Sequence, residues 1–153
     1  MSGSSWPYAA VALISGAALA FQVGFNAALR SRVGNPIVAA LFSFLIGTAV
    51  LLGYLAVSRP PRPDPGVLAR GPWWIWLGGV VGAGYVTSAA AFAPKLGAAG
   101  WLGLIVTGQV AASLAMDHFG LLGFPTRRID GPRLAGAALL LAGIALVLRP
   151  QSR

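Results

Sequence analysis

Four stretches of this chain run for about twenty residues without an acid or a base. They are "YAAVALISGAALAFQVGFNAAL" (8–29), "PIVAALFSFLIGTAVLLGYLAV" (36–57), "WWIWLGGVVGAGYVTSAAAFAP" (73–94) and "LGAAGWLGLIVTGQVAASLAM" (96–116). A run of about 20 apolar residues matches the roughly 30 Å hydrocarbon core when helical. In lipid the backbone must satisfy its own polar groups, so such runs are helices. A fifth run, "LAGAALLLAGIALVL" (134–148), has 15 residues between Arg133 and Arg149. It is short, but arginines at both ends can snorkel to the interfaces, so it is counted as a span. The expected fold is an all-α integral membrane protein of five transmembrane helices, forming a single membrane domain over 1–153.

Composition agrees. Of 153 residues, 57% are hydrophobic and 9% charged, against about 25% charged in soluble domains. The formal charge of +8 comes from arginines scattered between apolar runs, with no basic stripe and no aromatic–basic interleaving. Nucleic acid is therefore not an expected partner; the lipid bilayer is. The chain has no cysteine and one histidine, His118, and no glutamate. Disulfides, thiolate chemistry, metal clusters and paired-acid catalysis are excluded as expectations, and no cofactor is implied. The first span lacks a basic leader and is longer than a signal-peptide core, so it is expected to remain in the mature protein.

The connections carry helix punctuation. "GNP" (34–36) supplies a glycine stop, Asn35 as N-cap and Pro36 at the first helical position. Asp130 is placed to cap the last helix. "SRPPRPDPG" (58–66) reads as a stiff surface loop with Asp64 solvated, and Lys95 sits in a tight helical hairpin between spans three and four. "DHFGLLGFPTRRIDG" (117–131) reads as an interfacial loop or short helix. Trp6, Tyr8, Tyr54, Trp73, Trp74 and Trp76 fall towards the side of the N-terminus as an aromatic belt, with Trp101 a single anchor opposite.

Five spans put the termini on opposite sides. Arg59, Arg62, Arg70, Arg127, Arg128 and Arg133 lie on one side, and Arg30, Arg32, Lys95, Arg149 and Arg153 on the other, six against five. The difference in Lys and Arg orients a membrane protein, and here it is one residue. Either a local feature fixes one orientation, or the chain inserts both ways and pairs as an antiparallel homodimer. The second reading is favoured. Two odd-span chains arranged head to tail reproduce an inverted-repeat transporter, and an oppositely oriented paralogue would serve equally.

Small residues do much of the joining between helices in lipid. Span one offers Gly16, Ala20, Gly24 and Ala28, span three Gly78/Gly82 and Gly84/Ser88, and span four Gly103, Thr107 and Ala111. Polar stripes lie on other faces: Gln22, Asn26 and Arg30 in span one, and Gln109, Ser113 and Asp117 in span four. One reading is interhelical hydrogen bonding. The other, preferred, is a cavity near the midplane that holds a small polar solute. On it Gln22, Asn26, Gln109 and Ser113 bind the solute, with Tyr85 and Trp101 as weaker stacking candidates. Asp117, at a helix C-terminus where the macrodipole disfavours an anion, calls for a cation from Arg127, Arg128 or a partner chain. Asp117 is either a structural ion-pair member or a coupling or gating group, and His118 and Arg30 join it as candidates for the latter.

"FQVGFNAALRSRVGNP", "WLGGVVGAGYV", "VTGQVAASLAMDHFGLLGFPTRRID" and "RLAGAALLLAGIALVL" together resemble the YdcZ-like group of the drug/metabolite transporter superfamily, over about Gln22 to Leu148. The resemblance implies a bacterial inner-membrane protein of five helices, an exporter function, and one repeat of the inverted-repeat architecture. It also implies kinship with small multidrug transporters, which use a glutamate in the first helix. This span offers Gln22 and Asn26 instead, so proton-coupled cation export does not carry over. The competing reading is a non-transporting accessory subunit that uses its small-residue faces to bind a larger partner.

Overall fold

The structure, a computed structural model, describes residues 6–149; Arg153 of the charge count lies outside the described residues. Among these the regular structure is helical: α1 (Trp6–Val33), α2 (Pro36–Ser58), a short α3 (Pro65–Ala69), α4 (Leu77–Leu96), α5 (Ala98–Phe119) and α6 (Gly131–Val147). Single 3₁₀ turns cover Trp73–Trp76, leading into α4, and Leu121–Gly123. Four helical stretches are long and apolar enough to cross a membrane: Trp6–Val33, Pro36–Ser58, Trp73–Leu96 and Ala98–Phe119. The fifth, Gly131–Val147, has 17 residues, about 26 Å at 1.5 Å per residue. Against the expected spans, α1 extends to Val33 because nothing between Leu29 and Gly34 breaks a helix. The "SRPPRPDPG" loop runs on into α3, whose entry Asp64 fixes by accepting from the Gly66 N–H at 2.8 Å.

The caps explain where the helices begin. Asn35 is extended (φ −139°, ψ 127°), and its side-chain oxygen accepts from Ile37 N at 2.8 Å and Val38 N at 3.3 Å. Gly34 takes φ +76°, the left-handed turn that ends α1. Asp130 accepts from Arg133 N at 2.9 Å and starts α6. Each cap satisfies helix-end donors that lipid or interface would leave unpaired.

The chain divides into two compact units, Met1–Pro94 and Lys95–Arg153. In the first unit, α1 and α2 pack through Val23 and Asn26 on one side and Ala39 and Ala40 on the other, all buried. The small residues at this contact are the alanines of α2. The glycine line of α1 is not engaged: a Cβ added at Gly16 or Gly24 would meet nothing within 4 Å. The reason is the tight Gly34–Asn35 turn, which brings α2 back against the C-terminal half of α1 on the Val23/Asn26 face. In α4 the buried positions are Val86, Ala89, Ala90 and Ala93, and of its expected glycine pairs Gly82 has a close neighbour, the Phe44 ring, 3.5 Å from a built Cβ.

In the second unit, α5 packs on α6 along the expected line. A Cβ on Gly103 would overlap the Ile144 side chain, and one on Gly100 would come within 2.9 Å of Leu148 Cδ2. Thr107 continues the line and donates to its own helix at Gly103 O, 2.8 Å, which lets a hydroxyl sit on an apolar seam.

Candidate functional site

Three hydroxyls inside the helices, Ser31, Ser88 and Thr107, bond back to their own backbone. Ser31 donates to Ala28 O at 2.7 Å and Ser88 to Tyr85 O at 2.9 Å. Ser43 does otherwise. Its hydroxyl donates across to the Asn26 side-chain oxygen, joining α2 to α1. Asn26 in turn donates through Nδ2 to Gln22 O at 3.0 Å. It is 3% exposed, the buried polar residue of the described chain. An amide so enclosed must be bonded at both ends, because an unmet polar group in an apolar contact costs several kilocalories.

Gln22 is one turn earlier and has a different environment. It is exposed on the single chain and lines a cavity of about 240 Å³ with Ser43, Phe44, Gly47, Thr48, Leu51 and Val86. Three helices contribute: α1 one residue, α2 five and α4 one. An amide and two hydroxyls are set in an otherwise apolar wall, with no charged residue in the lining. At about 30 Å³ per water the space holds on the order of eight waters. Such a site can hydrogen-bond a compact polar molecule, and it offers no fixed charge to select a strong ion.

Arg30, two turns further along α1, extends Nη1 to Ala91 O at 3.5 Å. That carbonyl is in the last two turns of α4. A guanidinium there complements the negative helix end. Tyr85 is half-buried on α4, outside the residues lining the cavity.

The second unit places the other candidates. Gln109 and Ser113 are exposed on α5, off the line that packs on α6, and Trp101 is buried. Asp117 pairs with Arg133 Nη1 at 3.3 Å, both side chains about 30% exposed (31% and 28%). The cation is thus Arg133, at the start of α6, and not the expected Arg127 or Arg128. Arg127 contributes its backbone, donating to Asp117 O at 2.7 Å, and its carbonyl receives Arg133 Nη1 at 3.4 Å. His118 Nδ1 accepts from Ile129 N at 3.1 Å, which places the ring proton on Nε2 in that arrangement. The segment between α5 and α6 therefore folds back on the end of α5. Gly120 makes the turn at φ +62°, with Thr126 Oγ1 2.6 Å from where a Cβ would be. Asp117 and His118 thus both have structural partners.

Ser43 and Thr48 are the site residues that sequence reasoning missed. The available signal was their isolation: they are the two aliphatic hydroxyls inside 36–57, where a polar side chain needs a reason. Among the described residues no group of three or more metal-binding side chains occurs.

A family model described as "Putative inner membrane exporter, YdcZ" matches residues 7–146 of the chain. The chain is 25% identical over 137 residues to the "Inner membrane protein YdcZ" of Escherichia coli strain K12, covering 90% of this chain and 91% of that protein. No solved structure matches.

Proposed function

The chain belongs to the YdcZ family of the drug/metabolite transporters and is a multi-pass inner-membrane protein, and from that premise we propose that it moves a small polar solute by alternating access, as an antiparallel pair of chains. The observation that carries the reading is the cavity beside Gln22: hydroxyl and amide groups set within helices long enough to cross the membrane. Polar groups at membrane depth are costly and mark pathways by default.

On this reading Gln22, Ser43 and Thr48 bind the solute, and Asn26 positions Ser43. Gln109 and Ser113, exposed on α5, are proposed as further contacts on the transport path, with Tyr85 and Trp101 as stacking groups. Asp117, His118 and Arg30 remain proposed gating groups, acting through the backbone and ion-pair contacts they hold. A neutral lining favours an uncharged or zwitterionic solute. The proposed topology has α6 as a fifth crossing with Arg133 and Arg149 at its ends. The unengaged Gly16–Gly24 line of α1 is consistent with a neighbouring chain.

The test is exchange in proteoliposomes, with labelled neutral amino acids, polyols and betaines as the probe set. Saturable exchange of one of them by the wild type, lost in Gln22→Ala, supports the reading. If Gln22→Ala and Gln109→Ala both exchange it at the wild-type rate, the polar-cavity reading is wrong.

A further inference from the structure

We infer that the proline-rich turn after α2 holds the phosphate of an anionic phospholipid headgroup, with Arg59 and Arg62 as its ligands. The turn borders an open recess of about 550 Å³, lined by Leu55 and Ala56 from the last turns of α2, by Arg59 and Arg62, and by three prolines. Two arginines therefore line one recess, and no acid does. The neighbouring acid, Asp64, is occupied in receiving the Gly66 N–H at 2.8 Å, beside Arg70, which donates to Gly66 O at 3.0 Å. Guanidinium forks suit phosphate oxygens, bonding them in pairs.

The bland reading is that Arg59 only neutralises the C-terminal end of α2, which its backbone N–H closes on Leu55 O at 3.0 Å. A helix end carries about half a negative charge, and two full positive charges exceed it. The pocket stays electropositive. Pro60, Pro61 and Pro63 restrict the backbone around both arginines, so the ordering left for binding is that of the two side chains.

Location selects the source of the phosphate. Helix α2 has 23 residues, about 34 Å at 1.5 Å per residue, so its last turn emerges at the edge of a roughly 30 Å hydrocarbon core. Tyr54, near the end of α2, and Trp73, Trp74 and Trp76, just before α4, are exposed, and Tyr and Trp favour the interface depth. The half of the wall formed by Leu55, Ala56 and the prolines is apolar. A free phosphate ester, fully hydrated, gains nothing from that wall, whereas the glycerol and first acyl carbons of a lipid do.

The experiment titrates the detergent-purified protein with short-chain phosphatidylglycerol and, separately, phosphatidylcholine, reading bound lipid by native mass spectrometry. Selective phosphatidylglycerol binding is expected. Affinity should fall about fivefold in each of Arg59→Gln and Arg62→Gln and on the order of 25-fold in the double variant, following the usual contribution of one basic residue at an anionic surface. Arg70→Gln, outside the lining, should bind as the wild type does and show that the loss belongs to the two lining arginines. Equal binding of phosphatidylcholine, or unchanged phosphatidylglycerol affinity in the double variant, overturns the proposal. Displacement of the lipid by millimolar glycerol phosphate also overturns it, since the site would then be one for free phosphate esters.

Discussion

Gln22 and Asn26 are four residues apart on one helix, yet the structure gives them different surroundings. Asn26 is bonded on both sides, to Gln22 O and to the Ser43 hydroxyl, while Gln22 turns its amide to a cavity. Their substitutions should separate accordingly. Asn26→Ala is expected to lower stability in detergent by about 1 kcal/mol, within the range of intramembrane hydrogen bonds, measured by thermal or denaturant unfolding. Gln22→Ala should leave that stability within about 0.5 kcal/mol, as surface changes do, and reduce solute exchange. A marked loss of stability in Gln22→Ala would mean that it, too, is structural. The same logic applies at the caps. Asn35→Ala removes the acceptor for two N–H groups and is expected to cost about 1 kcal/mol, with Asn35→Ser recovering most of it.

At the level of helices, the α5–α6 seam has glycines with side chains close against them and makes the sharpest prediction. At Gly103 an added methyl overlaps Ile144 Cδ1 and comes within 2.9 Å of Ile144 Cγ1, whose place is set by χ1, and a β-branched side chain in a helix has essentially one χ1 rotamer to offer. At Gly100 the obstacle is the tip of Leu148, which can turn away. Gly103→Ala should therefore destabilise by about 1–3 kcal/mol, the usual cost of overpacking, and Gly100→Ala by clearly less. Ile144→Ala should offset the first in the double variant, and unfolding midpoints of the three proteins decide it. The Asp117–Arg133 pair is partly exposed, and a double-mutant cycle there is expected to give a coupling below about 1 kcal/mol. Much of this level was legible in the sequence. Uncharged run length located the four long helices, capping chemistry placed Asn35 and Asp130, and the Gly103–Thr107–Ala111 line pointed to a packing face. What was not legible depended on how helices meet. The glycines of α1 looked like its packing side, but the turn at Gly34 selects the Val23/Asn26 face. Arg133 rather than Arg127 meets Asp117 because the intervening segment folds back, which side-chain spacing along the chain cannot reveal. Ser43 mattered only once Asn26 was opposite it.

For the whole molecule, the open quantity is direction in the membrane. Six basic residues against five gives little orienting force if there are five crossings. The chain has no cysteine, so a single one can be placed at Ser2 or at Ser152, both outside the described residues, and labelled in intact cells with an impermeant thiol reagent. Labelling of both ends to about half is expected on the antiparallel proposal. Labelling of one end alone would rule out dual insertion and require an oppositely oriented partner.

Arg59 adds a consequence of a different kind. It adopts φ 43°, ψ 51°, a left-handed conformation that costs an ordinary residue about 1 kcal/mol or more and glycine almost nothing. Arg59→Gly should raise the melting temperature of the purified protein. A screen that selected variants for thermostability alone would therefore be drawn to this position and would discard the guanidinium. Robustness and charge are opposed at a single residue, and a chain that keeps arginine there has settled for the less durable turn.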